Sequence, residues 1–233
     1  ANGDSEELAS IRVLLPTRRA CRALREAFLR QTDGKPLLLP RMQPIGEADE
    51  DELQIKAAAQ DIAALPRAMT PLERRALLAQ MIRARGDWTG TAAQSFRLAD
   101  SLGHLLDQVI IEELSFDALE TLVPDKFSEH WQITTEFLKI IGENWTKILE
   151  ERGAIDQADR RNRLIRMLAQ EWRNAPPTQK IITAGSTGSI PAVRELLQVI
   201  AEMPHGCVVL PGLDRYMDTA SWENMDETHP QFM

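Results

Sequence analysis

The stretch Lys180–Asp214, KIITAGSTGSIPAVRELLQVIAEMPHGCVVLPGLD, carries the pattern of a complete βαβ unit and decides the fold class. Ile181 and Ile182 open a short β-branched run after the breaker Pro176-Pro177, and Gly185, Ser186, Thr187 and Gly188 form a glycine-rich turn. Val193, Leu196, Leu197, Ile200 and Ala201 then recur at helical spacing. That spacing lays an apolar face on a sheet and leaves Arg194, Glu195, Gln198 and Glu202 for water. Pro204 and Gly206 end the helix. Val208, Val209 and Leu210 make a continuous apolar run closed by Pro211-Gly212, the pattern of a strand buried on both faces of a parallel sheet.

Ligands of open parallel sheets gather beyond the carboxyl ends of the strands, so segments 184–189 and 211–215 are expected on one edge, where function is to be sought. The loop Gly185-Ser186-Thr187-Gly188 admits two readings. Its backbone N–H groups could cradle a phosphate before a helix N-terminus, or its glycines could simply supply the positive φ that a turn requires. It lacks both the GxxxxGK[ST] spacing and the lysine of a P-loop.

A chain of 233 residues can bury a substantial core as one domain, or as one domain with a large insertion. No run approaches the roughly 20 apolar residues of a membrane span, and no signal-peptide pattern is visible. Cys21 and Cys207 lie far apart and read as buried thiols, which suits a reducing cytoplasm better than a disulfide scaffold. The net charge of -8 argues against wholesale wrapping of nucleic acid, but the charge is unevenly spread. Residues 11–45 hold eight Lys or Arg against two acidic residues, whereas 46–62 hold six acidic residues and one lysine.

Residues 1–7 show no periodicity and are expected to be frayed, with order beginning near Leu8. Segment 11–15 reads as a second buried strand. Pro16-Thr17 then hands over to a helix in which Ala20, Leu24, Ala27 and Phe28 share a face. On the other face Arg18, Arg19, Arg22 and Arg25 crowd two turns directly after a strand's C-terminal end, where a phosphate backbone could reach them. The same pattern also describes a solvated face. Gly34 breaks this helix, and 36–44 (PLLLPRMQP) reads as a short, proline-flanked third strand.

From 51 to 174 the pattern is that of an all-helical block with no strand signal. A helix is expected from Asp51 to Leu65, and Thr70-Pro71-Leu72-Glu73 has the form of a capping box opening a helix that ends near Gly86. Further helices are expected at 91–113, 116–122, 128–152 and 156–174. Two apolar stripes, one through Trp131, Leu138, Ile141, Trp145, Ile148 and Leu149, the other through Leu98, Leu102, Leu105, Leu106, Val109 and Ile110, read as core. Gly153 suits a C′ position, and Asp156 with Asp159 places acid at the next helix start, so a tight turn should join an antiparallel pair. Arg160, Arg161, Arg163 and Arg166 read as a second, solvated basic face, partly neutralised by Asp156, Asp159 and Glu171.

The four histidines, 104, 130, 205 and 229, fall at no metal-ligand spacing, and no GxSxG, HExxH or carboxylate cluster is present. No catalytic residue, metal or cofactor is assigned. His229-Pro230-Gln231-Phe232-Met233 breaks off in mid-segment, as if cut from a longer protein.

Two segments, VLLPTRRACRALREAFL at 13–29 and ITAGSTGSIPAVRELLQVIAEMPHGCVVLPGLD at 182–214, resemble the amino-terminal region of AddB proteins of the alphaproteobacterial type. LLLPRMQPIGEADEDEL at 37–53 and ASWENMDETHPQF at 220–232 are similar to the same family. AddB is the subunit that pairs with the AddA helicase in a bacterial helicase–nuclease acting on double-strand DNA ends in recombinational repair. Its front half resembles a superfamily 1 helicase without ATPase function. The resemblance implies that Pro16-Thr17-Arg18-Arg19-Ala20 corresponds to the strand-to-helix motif that touches single-stranded DNA, with Arg22 one turn further on. It also sets Thr183-Ala184-Gly185 where an active helicase presents acidic residues to Mg²⁺, and no carboxylate stands there. The strand of the P-loop, the second helicase-like domain and the nuclease domain with its metal and iron–sulfur ligands are missing from this stretch.

The resulting expectation is an α/β protein: a partial P-loop, superfamily 1 helicase-like parallel sheet (8–50 and 175–233) with a large helical insertion (51–174). It would bind DNA and an AddA-like helicase subunit, without a membrane partner and without catalysis of its own. The alternative is an α/β enzyme that takes a nucleotide or phosphorylated metabolite at Gly185 to Gly188, assisted by Asp214 or Arg215.

Overall fold

Four parallel strands, in the spatial order 41–44, 12–15, 181–184 and 206–209, form the sheet on which the candidate site is built. The computed structural model describes residues 2–32, 36–45, 64–84, 89–114, 142, 144–212 and 216–225. In chain order the elements are α1 (Asn2–Ala9), β1 (Arg12–Leu15), α2 (Arg18–Gln31), β2 (Arg41–Pro44), β3 (Arg67–Ala68), α3 (Pro71–Ala84) and α4 (Ala92–Ile111). They continue with α5 (144–151), β4 (Ala154–Ile155), α6 (Gln157–Asn174), β5 (Ile181–Ala184), α7 (Pro191–Glu202), β6 (Gly206–Val209) and α8 (Thr219–Glu223). The chain divides into two compact units. One comprises Ala1–Ala48, Ala169–Ser189 and Arg194–Met233, the other Asp49–Leu168 and Ile190–Val193. Among the described residues no helix is long and apolar enough to cross a membrane.

In the first unit, β1 pairs with β2 on one side and β5 on the other, in register Arg12↔Arg41 and Arg12↔Ile181, and β5 pairs with β6 from Ile181↔Gly206 onward. Every strand runs the same way, so the chain must cross over between β1 and β2 through α2, and between β5 and β6 through α7. Val13, Leu15, Cys21 and Met42 are buried together with Ala20, Leu24 and Phe28 packed against them, which is the apolar stripe of α2 lying on the sheet. Gly206 opens β6 where a Cβ would overlap the carbonyl oxygen of Ile200 in α7; only a residue without one lets helix and strand approach so closely.

Several expectations need correction here. Segment 2–9 is helical, not frayed, and Glu7 within it forms an ion pair with Lys180. The third strand occupies Arg41–Pro44 only. The run at 208–210 is not buried on both faces: among the described residues β6 pairs with β5 alone, its residues alternate between half-buried and exposed, and Val209 is 50% exposed. An edge strand has no neighbour to cover its outer side, and Cys207, expected to be buried, is exposed there. In α7, Val199 is buried and Ala201 exposed, so the apolar face is turned slightly from the expected one.

The second unit is built on α3 and α4, with Met69, Leu78, Ile82, Leu102, Leu106 and Trp145 in its core. Thr91 and Gln94 close a capping box at the start of α4, and Thr70 Oγ1 accepts from Glu73 N–H at 3.3 Å before α3. The Glu73 carboxylate does not complete a second box; both its oxygens accept from Arg67 at 2.9 Å. Leu98, read as core, is 40% exposed. The block is also not wholly helical. Arg67↔Ala154 and Ala68↔Ile155 pair in parallel, and Met69 N–H donates to Ile155 O at 2.8 Å. Two-residue strands leave no periodicity to read. Gly153 takes φ +53 after α5, as its place at the helix end requires. The helix expected at 51–65 up to residue 63, that at 116–122, and the first part of 128–152 lie outside the described residues.

Candidate functional site

Because the four strands are parallel, the ends at Leu15, Pro44, Ala184 and Val209 lie on one edge, and the chain leaves that edge through Pro16-Thr17 and through 185–189. β1 and β5 are neighbours, so these two exits lie side by side: a Cβ on Gly185 would stand 3.6 Å from Pro16 Cγ. Thr17 adopts an extended conformation and its Oγ1 accepts from Ala20 N–H at 3.1 Å, capping α2. One of its two lone pairs is thereby used, and its O–H proton can still donate.

The helix so capped carries Arg18, Arg19, Arg22, Arg25 and Arg30 against a single acid, Glu26. Arg19, Arg22 and Arg25 are exposed, and among the described residues none of them has an ion-pair or hydrogen-bond partner. Arg18 is exposed and makes a further contact within the chain. Exposed guanidinium groups at a helix start, where N–H groups and the positive dipole end also point, can attract an anion.

The glycine loop is differently disposed. Gly185 has φ +77 and its N–H donates to Val209 O at 3.0 Å, which continues the β5–β6 ladder. Gly188, at φ +70, is buried. Its N–H faces Ser186 Oγ at 3.4 Å and its carbonyl accepts from Arg194 Nε at 3.0 Å. Thr187 Oγ1 lies 3.3 Å from Ser189 Oγ. Gly185 and Gly188 thus serve turn geometry and internal bonding, which leaves the hydroxyls of Thr187 and Ser189 as the loop's outward chemistry. Thr183 just before them is 1% exposed and its Oγ1 has no hydrogen-bond partner among the described residues. Asp214 and Arg215, the alternative's helpers, lie outside the described residues.

The second basic cluster is the expected solvated face only in part: Arg163 and Arg166 are exposed, and Asp159 neutralises Arg163 as expected, whereas Arg160 and Arg161 are half-buried. Arg163 pairs with Asp159 at 2.8 Å, Arg166 with Glu113, and Arg160 donates to Pro66 O at 3.1 Å. Asp156 does not neutralise them. It is 1% exposed, accepts from Trp145 Nε1 at 2.8 Å, and stands 2.8 Å from Arg74 Nε in an ion pair whose N–H is not aligned as a hydrogen bond. Arg74 also meets Asp107 at 2.7 Å. Burial raises the Asp156 carboxyl above its ordinary range, against the opposing pull of Arg74 and the Trp145 hydrogen bond. Sequence reasoning missed this network, since its four members come from α3, α4, α5 and the turn before α6; the acid at a helix start was the single signal. Among the described residues no group of three or more His, Cys, Asp or Glu is placed to hold a metal.

No family model matches this chain, and no curated protein is detectably similar to it.

Proposed function

We propose that this chain is the non-catalytic, DNA-contacting part of an AddB-like helicase–nuclease subunit. Its superfamily 1-like sheet would hold single-stranded DNA beside an AddA-like partner during double-strand break repair. The observation that carries the reading is the Thr17-capped start of α2 at the carboxyl edge of a parallel sheet, where Arg19 and Arg22 stand exposed and unpaired among the described residues. Such a surface holds phosphates and does not read bases. Thr183-Ala184-Gly185 offers no carboxylate for a metal, so ATP hydrolysis is not expected of these residues.

Fluorescence anisotropy with a labelled single strand at low salt tests the reading. Arg19→Ala with Arg22→Ala should weaken binding and reduce the salt slope by about 0.7 for each phosphate that is no longer neutralised. Arg163→Ala with Arg166→Ala should leave both unchanged. A wild type that does not bind, or equal losses in the two double variants, removes α2 as the DNA-binding helix.

A further inference from the structure

We propose that the cavity between α3, α4 and the start of α6 is a binding site for a small organic monoanion with an apolar body, its charge held by Arg161. The cavity lies wholly within the second unit and has a volume of about 450 Å³, the size class of small-molecule sites. Met69, Leu78 and Ala99 back it but are each 1% exposed, so its accessible apolar surface comes from Pro71, Ile111 and Ala158, and Gln157 and Arg161 line it from α6.

The charges around it decide what it takes. Arg74 is matched by Asp107 and Asp156, and Arg75 by Asp100 at 2.7 Å. Of the arginines on the first turns of α6, Arg160, Arg163 and Arg166 are committed to Pro66, Asp159 and Glu113. Arg161 alone of the four is without a hydrogen bond or ion pair among the described residues, and it is the one that lines the cavity. It is half-buried, so part of its hydration is already lost, and a charge-assisted hydrogen bond to an anion would recover it. His104, exposed on the rim, offers a second donor. A multiply charged anion would meet the carboxylates of Asp100 and Asp107 on the same rim, and a neutral ligand would leave Arg161 unsatisfied. A single negative charge on an apolar body fits both constraints. This site shares no residue with the α2 surface and does not depend on the DNA reading.

The test uses the full chain and two dyes with the same body: 8-anilinonaphthalene-1-sulfonate, a monoanion, and N-phenyl-1-naphthylamine, which lacks the sulfonate. The wild type should bind the anionic dye saturably and more tightly than the neutral one. Arg161→Glu should lower affinity for the anionic dye about tenfold, Arg161→Gln should lower it less, and Arg163→Glu should leave it unchanged. Gly103→Ala offers a check that spares the charges. Its Cβ would meet Arg74 and Leu78 at 3.7 Å, an ordinary van der Waals distance, so the fold should accept it while the cavity narrows and both dyes bind less. No binding by the wild type, equal affinity for the two dyes, or an Arg161→Glu variant that binds the anionic dye like wild type would each overturn the assignment.

Discussion

Two helices of this protein present four arginines within two turns, α2 with 18, 19, 22 and 25 and α6 with 160, 161, 163 and 166, yet the fold treats them in opposite ways. On α6, an acid one turn away, a glutamate from the end of α4 and a backbone carbonyl before β3 take up three of the four. On α2, Glu26 is the only acid of the helix, and the exposed guanidinium groups of Arg19, Arg22 and Arg25 have no partner among the described residues. A run of like charge therefore says little about function until the acids of other elements are placed. Arginines that the tertiary structure pairs, such as 160, 163 and 166, serve the scaffold; those with no partner among the described residues, such as 19, 22 and 25, can recognise an anion.

The largest effect should come from the buried end of this contrast. Asp156→Ala leaves Trp145 Nε1 without its acceptor and Arg74 with one carboxylate in place of two, so the second unit should lose about 3 kcal/mol of stability in urea unfolding. Arg19→Ala with Arg22→Ala, on an exposed face where neither arginine has a partner among the described residues, should cost no stability. Acid sharpens the difference. The folded-state pKa of Asp156 lies above the ordinary 3.8, so the native state holds this proton more firmly than the unfolded chain does. Its contribution is then fully present below 3.8 and is lost as pH rises through the raised folded value. Asp156→Asn should abolish that component. A wild type whose advantage over Asp156→Asn grows as pH rises through this window would show instead that the pairing with Arg74 outweighs burial.

What was legible in the sequence follows the length scale of the forces involved. The βαβ unit at 180–210 and the strand at 12–15 show because a buried strand needs a continuous apolar run and a covering helix needs a periodic one. Thr70 shows as a cap because capping acts over three residues; Thr17 and Thr91 cap by the same rule but are not read as caps from the sequence. The exposure of β6 does not show, since edge or centre is settled by which strands pair, and Val208-Val209-Leu210 reads the same in either place. The two-residue β3–β4 pairing and the Arg74–Asp156–Trp145 network are invisible for the same reason: their partners lie more than ten residues apart, and nothing local marks them. The candidate site was half legible. The basic helix start could be read, but that Arg19, Arg22 and Arg25 have no partner among the described residues could not, and the cavity lined by Arg161 left no local trace.

An intermediate effect separates capping from binding on α2. Thr17→Ala should cost about 1 kcal/mol by freeing the Ala20 N–H. It should also weaken DNA binding less than loss of Arg19 and Arg22 does, because a phosphate sees two formal charges there and only one hydroxyl. Thermal unfolding and anisotropy on the same variant measure both. A Thr17→Ala variant that keeps its stability but loses all binding would make the hydroxyl, not the arginines, the principal phosphate ligand.

The smallest predicted effect is the sharpest, because it is a difference in sign. Arginine and glutamine have similar helix propensities, so Arg→Gln removes charge with little change in backbone preference. Arg163 forms an i, i+4 pair with Asp159, and Arg163→Gln should therefore lower stability by about 0.3–0.5 kcal/mol. Arg19 stands in the first turn of α2, where the dipole disfavours a cation, and three residues before Arg22, where like charges repel. Arg19→Gln should then raise stability by about 0.5 kcal/mol. Both shifts should shrink toward zero in about 1 M salt, where the screening length falls to about 3 Å. An arginine that destabilises its own helix has to be explained by something outside the fold, and an anion beyond the sheet edge is the simplest such thing. If Arg19→Gln instead lowers stability, the guanidinium is serving the fold, and the two clusters are alike after all.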